Sequence, residues 1–206
     1  ENRMLAVNSG TSGELAKDVF FAYRGYRMNY YAVTAMLARV YCWAGEYGNA
    51  YKEAKEVVDA TYSTGSTSTA SCFNFSNSLT TNRKDYNSII MTFFKSTCYE
   101  DYLPYMTKGN DVVLVVNTTN LFGDEAGADD RNLDLFGDWD GGDIKYSFKY
   151  DIKEGTSGTD MIPAIRLSEM YYIMGEYFAY KDEFSKAGEM LDKVRYARGI
   201  STTNLA

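Results

Sequence analysis

Four aromatic side chains in the middle of the chain carry the clearest chemistry in this sequence. Trp139 lies in the run D-W-D-G-G-D, and Tyr99, Tyr102 and Tyr105 surround Pro104 in a segment that we predict to be irregular. Aromatic rings stack on the apolar C–H faces of sugars, while nearby polar groups bind the hydroxyls. We therefore predict that these four residues bind a ligand. The alternative is that they pack beneath the surrounding segment.

Charged side chains suggest two further arrangements, and we interpret both as structural. Asp138, Asp140 and Asp143 could offer oxygen ligands to calcium. The distal glutamate of an EF-hand loop is missing, however, and D-G-G is an ordinary hairpin turn, so we favour the turn and predict no metal site. Arg166 and Glu169 are three residues apart near the start of a predicted helix, and we predict a structural ion pair between them.

The sequence offers little for catalysis. It contains no histidine, which excludes Ser-His-Asp and Cys-His pairs and removes the commonest general base. Its three cysteines show no C-x-x-C spacing, and Cys42 is predicted to be a small buried hydrophobic residue. A carboxylate-based glycoside hydrolase has no positive motif, because nothing singles out a pair among 28 Asp and Glu residues. We predict a protein that is not an enzyme and needs no cofactor.

The composition bounds the class of protein. Apolar residues make up 45% of the 206, which indicates a folded globular chain. The net charge of −7 and the lack of a basic stripe argue against a nucleic-acid partner. No apolar run approaches the length needed to cross a bilayer. The first residues, E-N-R-M-L-A-V, do not follow the plan of a signal peptide, so any leader is expected to lie outside this sequence.

Apolar residues at steps of three and four predict two helical hairpins. The first spans residues 27–60, where the glycines of A-G-E-Y-G break the helix and let the chain reverse. The second spans residues 161–199, and we place Pro163 in the first turn of its leading helix. An offset of 137 residues aligns the hairpins, as between Ala50 and Ala187. Such spacings are typical of tetratricopeptide repeats, in which paired helices stack.

Residues 61–160, between the hairpins, are predicted to form a loop-rich and partly β insertion within a single region of residues 1–206. Its predicted parts are a surface loop at Thr61–Asn82, a buried strand at Ser88–Phe94, a second strand or buried run at Val112–Val116, and a half-exposed strand from Tyr146 to Ile152. Before the first hairpin, we predict a turn at Asn8–Gly13 and a short helix at Glu14–Tyr23.

Several segments together resemble one protein family. The run N-Y-Y-A-V-T-A-M-L-A-R-V-Y-C-W-A-G, from Asn29 to Gly45, is similar to the N-Y-x-A-x-x-A-L-L-A-R-V-Y-L-W-x-G segment of the SusD/RagB family. The run I-P-A-I-R-L-S-E-M-Y-Y-I-M-G-E-Y and the following A-x-x-x-L-x-x-V-R-x-x-R-G resemble the family's later hairpin. Between them, Asp129-Asp130-Arg131 and Lys149-Tyr150 resemble its D-x-R and K-Y landmarks. These matches cover about half of the chain in the family's order.

The resemblance implies a mainly α fold, in which tetratricopeptide-like hairpins form a SusD-like α/α superhelix with the insertion between them. The family consists of non-catalytic outer-membrane lipoproteins of Bacteroidetes that face the cell exterior. They capture oligosaccharides or other nutrients for import through a SusC-like TonB-dependent transporter. The family's N-terminal lipidated segment and its C-terminal stretch are not in this sequence, so we expect a fragment lacking both ends, with a lipid anchor only in the full-length protein.

A second class of function is a helical scaffold for protein–protein contacts that binds no small ligand. The insertion distinguishes the two hypotheses, because a bare scaffold has little use for an aromatic-rich excursion between its hairpins. We therefore predict the hairpins as scaffold and residues 61–160 as the part that binds the ligand.

Overall fold

The protein is described here from a computed structural model. It describes residues 28–64, 67–76, 79–80, 82–107, 109–110, 112–147, 149–150, 161–201 and 205. The turn and the helix predicted before residue 27 lie outside these residues. In chain order the elements are α1 (Tyr30–Trp43), α2 (Tyr47–Val58), β1 (Thr61–Ser63), β2 (Thr69–Ser71), β3 (Ile89–Phe94), α3 (Cys98–Met106), β4 (Val115–Asn117), α4 (Thr118–Phe122), α5 (Asp130–Leu135), β5 (Phe136–Asp138), β6 (Ile144–Ser147), β7 (Met161–Arg166), α6 (Leu167–Tyr180) and α7 (Phe184–Tyr196).

Helices α1 and α2 form an antiparallel hairpin held together by small residues. Asn29 caps α1, because its Oδ1 accepts a hydrogen bond of 2.9 Å from the Ala32 backbone N–H. Gly45 lies in the turn with a positive φ of 75°, a conformation that glycine adopts at little cost. Alanines on the facing sides are fully buried, which lets the helix axes approach closely: Ala32, Ala35, Ala38, Ala50 and Ala54.

The second hairpin repeats the first at the predicted offset. Helices α1 and α6 have 14 residues each, and their first residues are 137 positions apart. The first residues of α2 and α7 are also 137 positions apart. Gly175 on α6 takes the place of Ala38, and a Cβ atom there would lie 3.7 Å from the Ala187 carbonyl oxygen of α7. The two hairpins meet through α2 and α6, where the rings of Tyr51 and Tyr177 stack with centroids 4.5 Å apart.

The segment before α6 is a strand, so the prediction of a helix beginning at Pro163 is wrong. Strand β7 pairs antiparallel with β3, which lies about 70 residues earlier in the chain. Pro163 is opposite Thr92, next to a register irregularity, where a residue without an N–H is tolerated. Ile165 of β7 and Ile90 of β3 have no exposed surface and join the same apolar core as the hairpin alanines.

One ion pair and one hydrogen bond to a backbone carbonyl replace the predicted Arg166–Glu169 pair, which is wrong. Glu169 accepts hydrogen bonds from Arg39 of α1, at 2.5 Å from Nε and 2.7 Å from Nη2. Arg166 instead donates from Nη1 to the Lys84 carbonyl oxygen at 2.8 Å. The physical reason is that Arg166 has extended backbone angles and precedes the helix, so the helical spacing of three residues does not apply to it.

The insertion is built from small sheets. Strands β4, β6 and β5 form an antiparallel sheet in that order, and β1 pairs with β2 inside the segment predicted as a loop. The run Val112–Val116 is not a buried run, because Val112, Leu114 and Val115 are exposed and the strand begins only at Val115. Strand β6 ends at Ser147, earlier than predicted, and residues 151–160 lie outside the described part. The mainly α fold class with a partly β insertion is confirmed. Among the described residues, no helix is both long and apolar enough to cross a membrane.

Candidate functional site

Helix α3 carries the three predicted ligand-binding tyrosines. The sequence predicts an irregular segment here, and the helix is a correction. Its first turn holds Asp101, which pairs with Lys95 and accepts a hydrogen bond of 3.0 Å from Thr97 Oγ1. These two contacts lower the pKa of Asp101. Pro104 lies inside the helix, two residues before its end, and without an N–H it cannot donate to the Glu100 carbonyl oxygen.

The three tyrosines differ in how much of each ring is available. Tyr105 is 42% exposed, whereas Tyr99 and Tyr102 are half-buried. The ring of Tyr102 stacks on that of Tyr150, with centroids 4.5 Å apart and planes 12° from parallel. One face of Tyr102 is therefore covered by the protein, so Tyr105 is the tyrosine best placed to meet a ligand.

Trp139 lies on a different element, in the turn between β5 and β6. Asp138 Oδ1 accepts a hydrogen bond of 2.9 Å from the Gly141 N–H, and Asp140 Oδ1 accepts one of the same length from the Gly142 N–H. These are the contacts that a hairpin turn requires, and they support the turn over a calcium loop. The Trp139 N–H closes the hairpin on the Ile144 carbonyl oxygen at 3.1 Å, and its side chain is half-buried.

A cluster of basic side chains, which the sequence did not predict as a site, lies beside the Tyr102–Tyr150 stack. We call Lys84, Lys149, Arg166 and Arg198 the basic cluster. Lys84 is only 2% exposed, and its Nζ lies 4.6 Å from the centroid of the Tyr150 ring. A sequence signal existed for part of the cluster, since Lys149-Tyr150 forms the K-Y landmark and Arg166 belongs to the I-R-L-S-E run.

One buried carboxylate serves this cluster. Asp85 is 1% exposed, and its Oδ2 accepts a hydrogen bond of 3.1 Å from Arg198 Nη1. Its Oδ1 accepts another of 2.8 Å from the Ser76 backbone N–H. Asp85 also has a positive φ of 53°, which is unusual for a residue with a side chain. Both of its oxygens are therefore engaged, and it forms a hydrogen bond with neither Lys149 nor Arg166.

Burial and neighbouring positive charges lower the pKa of two residues of the basic cluster. Burial and, with smaller effects in this order, the neighbouring cations Arg166, Arg198, Lys84 and Arg131 together lower the pKa of Lys149 to about 7. Burial also lowers the pKa of Arg166, while Asp85 opposes this shift. The cluster is thus an environment that disfavours additional positive charge.

The D-x-R landmark forms a closed structural unit. Asp129 is buried and caps α5, because its Oδ1 accepts a hydrogen bond of 2.8 Å from the Arg131 backbone N–H. The Arg131 side chain returns to the same carboxylate through Nε at 3.0 Å and Nη2 at 2.6 Å. The adjacent Asp130 N–H donates to the Arg198 carbonyl oxygen at 2.9 Å, which ties this unit to the end of α7. Its contacts indicate a role in folding.

The fold defined by these elements is that of SusD-like proteins. The chain superposes on the SusD-like carbohydrate binding protein of Bacteroides vulgatus with a TM-score of 0.57, at 19% identity. A SusD superfamily protein of Bacteroides thetaiotaomicron gives a TM-score of 0.60 at 21% identity, and surface glycan-binding protein A of Bacteroides uniformis gives 0.56 at 15%. No family model and no curated protein matches the sequence.

The superpositions cover most of this chain and less than half of each relative. They include 87%, 83% and 85% of the residues of this chain, in the order given above. The corresponding shares of those structures are 39%, 41% and 43%. The chain therefore corresponds to about two fifths of the length of the solved structures that it resembles.

Proposed function

We propose that this chain belongs to the SusD/RagB family and is part of a cell-surface protein that binds oligosaccharides without catalysis. The observation that carries the proposal is the SusD-like fold, because two of the structures sharing it are described as a carbohydrate binding protein and a surface glycan-binding protein. The aromatic side chains of the insertion are of the kind that stacks on sugar rings. A protein that only binds is consistent with the lack of histidine in the sequence.

The ligand-binding residues in this proposal are Trp139, Tyr99, Tyr102 and Tyr105. Tyr105 offers the most exposed ring of the three on α3, and the half-buried Trp139 lies in a turn that is fixed by hydrogen bonds from backbone N–H groups to Asp138 and Asp140. Rings held in place before binding lose little conformational freedom when a ligand stacks on them. We expect Tyr105 and Trp139 to contribute more than Tyr102, one face of which is already covered by Tyr150.

The full-length protein, in this proposal, is lipid-anchored in the outer membrane and faces the cell exterior. It passes its ligand to a SusC-like TonB-dependent transporter for import. The division of labour is also proposed: residues 27–60 and 161–199 supply the scaffold, and residues 61–160 supply the binding surface. A SusC-like gene next to the gene for this protein would support the import step, and its absence would count against it.

The experiment that tests glycan binding is affinity electrophoresis of the full chain in gels containing neutral polysaccharides. Retardation that is lost in the Tyr105→Ala and Trp139→Ala variants supports the proposal. Tyr196→Ala is the matched control, because Tyr196 lies on α7, outside the insertion, and is 44% exposed, close to the 42% of Tyr105. If both insertion variants migrate like the unsubstituted chain in a gel that retards it, these residues do not bind the ligand.

One observation favours the second candidate, a scaffold for protein contacts. Large aromatic residues are exposed where the hairpins turn: Trp43 is 89% exposed, and Tyr180 and Phe184 are also exposed. Trp43 and Tyr180 are equivalent under the 137-residue offset, so the same edge of both hairpins carries them. The scaffold would be favoured if the chain bound no polysaccharide but bound a protein partner, and if Trp43→Ser abolished that binding.

A further inference from the structure

Two cationic side chains in the basic cluster have hydrogen-bond donors for which the described residues supply no acceptor. Arg166 Nη2 is buried and has no partner among these residues, whereas Nη1 of the same guanidinium donates to the Lys84 carbonyl oxygen. The Lys149 ammonium makes no hydrogen bond in the described part of the chain, where only its backbone N–H donates, to Ser147 Oγ at 3.4 Å. Buried donors in native proteins are rarely left unsatisfied, so Arg166 Nη2 calls for an explanation, and the half-buried Lys149 is the second cation beside it.

Among the residues that the structure describes, the nearby carboxylates do not supply the missing acceptors. Asp85 binds Arg198 and the Ser76 N–H, and Asp129 binds Arg131. Asp130 lies beside Arg198, where the guanidinium partly offsets a burial that raises the pKa of this carboxyl. The charged residues in the described part of the chain that act on Lys149 are therefore cations. An arrangement of this kind is unfavourable unless negative charge enters it or the amine loses its proton.

We propose that Lys149 and Arg166 bind a small oxyanion, a carboxylate or a sulfate group, with Arg198 adding positive charge behind them. Such a group accepts hydrogen bonds from both donors at once, and guanidinium and ammonium groups are the usual partners of oxyanions in proteins. The site lies beside the Tyr102–Tyr150 stack, so it is adjacent to the aromatic residues of the insertion.

The oxyanion has two possible sources with the same chemistry. It is either a free ion or an acidic substituent of a saccharide, such as the carboxylate of a uronic acid or a sulfate ester. The second source rests on the proposed glycan binding, whereas the first is independent of it. Failure of both neutral glycans and the acidic saccharide to bind would therefore refute the proposed function, whereas binding of sulfate would leave the oxyanion site standing.

The test is isothermal titration of the full chain with sodium sulfate at pH 6 and constant ionic strength, followed by titration with a glucuronate disaccharide and its neutral glucose counterpart. We expect saturable sulfate binding that weakens about tenfold or more in Lys149→Met, which removes one charge-assisted hydrogen bond. The control is Lys52→Met, because Lys52 is an exposed lysine on α2, outside the cluster. This control should bind sulfate like the unsubstituted chain.

A second measurement distinguishes loss of the oxyanion site from loss of folding in the Lys149→Met variant. Bound oxyanion favours the protonated amine, so sulfate affinity should fall at least about threefold between pH 6 and pH 8.5 as Lys149 loses its proton. The chain has no histidine to titrate in this range, and comparison with Lys149→Met separates the effect of Lys149 from that of the α-amino group and the cysteines. Lys149→Met should show no such change with pH.

Each outcome decides the proposal. Binding of both sulfate and the glucuronate disaccharide, lost in Lys149→Met and retained in Lys52→Met, supports a saccharide-borne oxyanion. Binding of sulfate alone with the same pattern supports a free ion as the occupant. No saturable binding of either anion, or equal binding by Lys149→Met and the unsubstituted chain, overturns the proposed site.

Discussion

The contact between Arg39 and Glu169 predicts how strongly the two hairpins depend on each other. The residues are 130 positions apart, and the guanidinium binds the carboxylate through two parallel hydrogen bonds. Nη2 also donates to the Ala164 carbonyl oxygen at 3.0 Å, so the same side chain connects α1 to β7 as well as to α6. We expect Arg39→Met to destabilise the fold, because this one substitution removes all three hydrogen bonds.

The magnitude follows from the geometry and the exposure. Exposed ion pairs contribute about 0.2–1 kcal/mol, and bidentate Arg–carboxylate pairs are stronger. The two side chains are 32% and 29% exposed, which places the pair between the surface and buried limits. We therefore expect a coupling energy of about 1–1.5 kcal/mol for the pair. Arg39→Met alone should cost about 2 kcal/mol, because it also leaves the Ala164 carbonyl without its partner.

A double-mutant cycle measures this coupling directly. The variants are Arg39→Met, Glu169→Gln and the combination, each unfolded in urea and followed by circular dichroism at 222 nm. The Lys55–Asp59 pair on α2 is the matched control, since it is exposed, lies within one helix and is expected to couple by only about 0.3–0.5 kcal/mol. A coupling energy for Arg39 and Glu169 no larger than that of the control would refute the reasoning.

Three further predictions concern other parts of the chain. Gly199→Ala should destabilise by about 2 kcal/mol or more in urea unfolding, because its φ is 81° and a Cβ atom would lie 2.7 Å from the Ala128 carbonyl oxygen; an unchanged midpoint would contradict this. Burial and a hydrogen bond donated to Glu176 raise the pKa of the Cys42 thiol to about 12. Iodoacetamide at pH 8 should therefore alkylate Cys42 at least about tenfold more slowly in the folded chain than in the urea-unfolded chain. Glu176→Ala should speed the reaction in the folded chain. The pKa of Lys149 is lowered to about 7 in the fold from 10.5, so the unfolded chain binds more protons between these values and stability should rise with pH there. Relative to Lys149→Met, the unsubstituted chain should gain up to about 4 kcal/mol between pH 7 and 10.5, and equal pH profiles would exclude the shift.

The sequence predicts the helical hairpins well, because their signal is local. Small and apolar residues recur every three or four positions in both hairpins, and packing along one helix face needs no distant information. Strand β7 was missed for the opposite reason. Its partner β3 is about 70 residues away, and Pro163 alone suggests a helix start as readily as an edge strand.

The candidate site was only partly predictable for the same physical reason. Trp139 and the tyrosines of α3 could be selected by residue type, but whether a ring is free depends on what packs against it. Tyr150 covers one face of Tyr102 from a position 48 residues later in the chain. The basic cluster combines residues from four separate segments, so no spacing in the sequence could reveal it.

The position of the basic cluster connects the insertion to the scaffold. Lys84 lies two residues before the 3₁₀ turn that leads into β3, Arg166 ends β7 and stands directly before α6, and Arg198 follows α7. Lys149 reaches the same place from the far side of the insertion. Negative charge arriving at this cluster would therefore act on both ends of the second hairpin and on the strand pair that holds the insertion to it. For this reason we expect oxyanion binding to raise the stability of the whole chain and not only of the insertion, as a single cooperative shift in its unfolding.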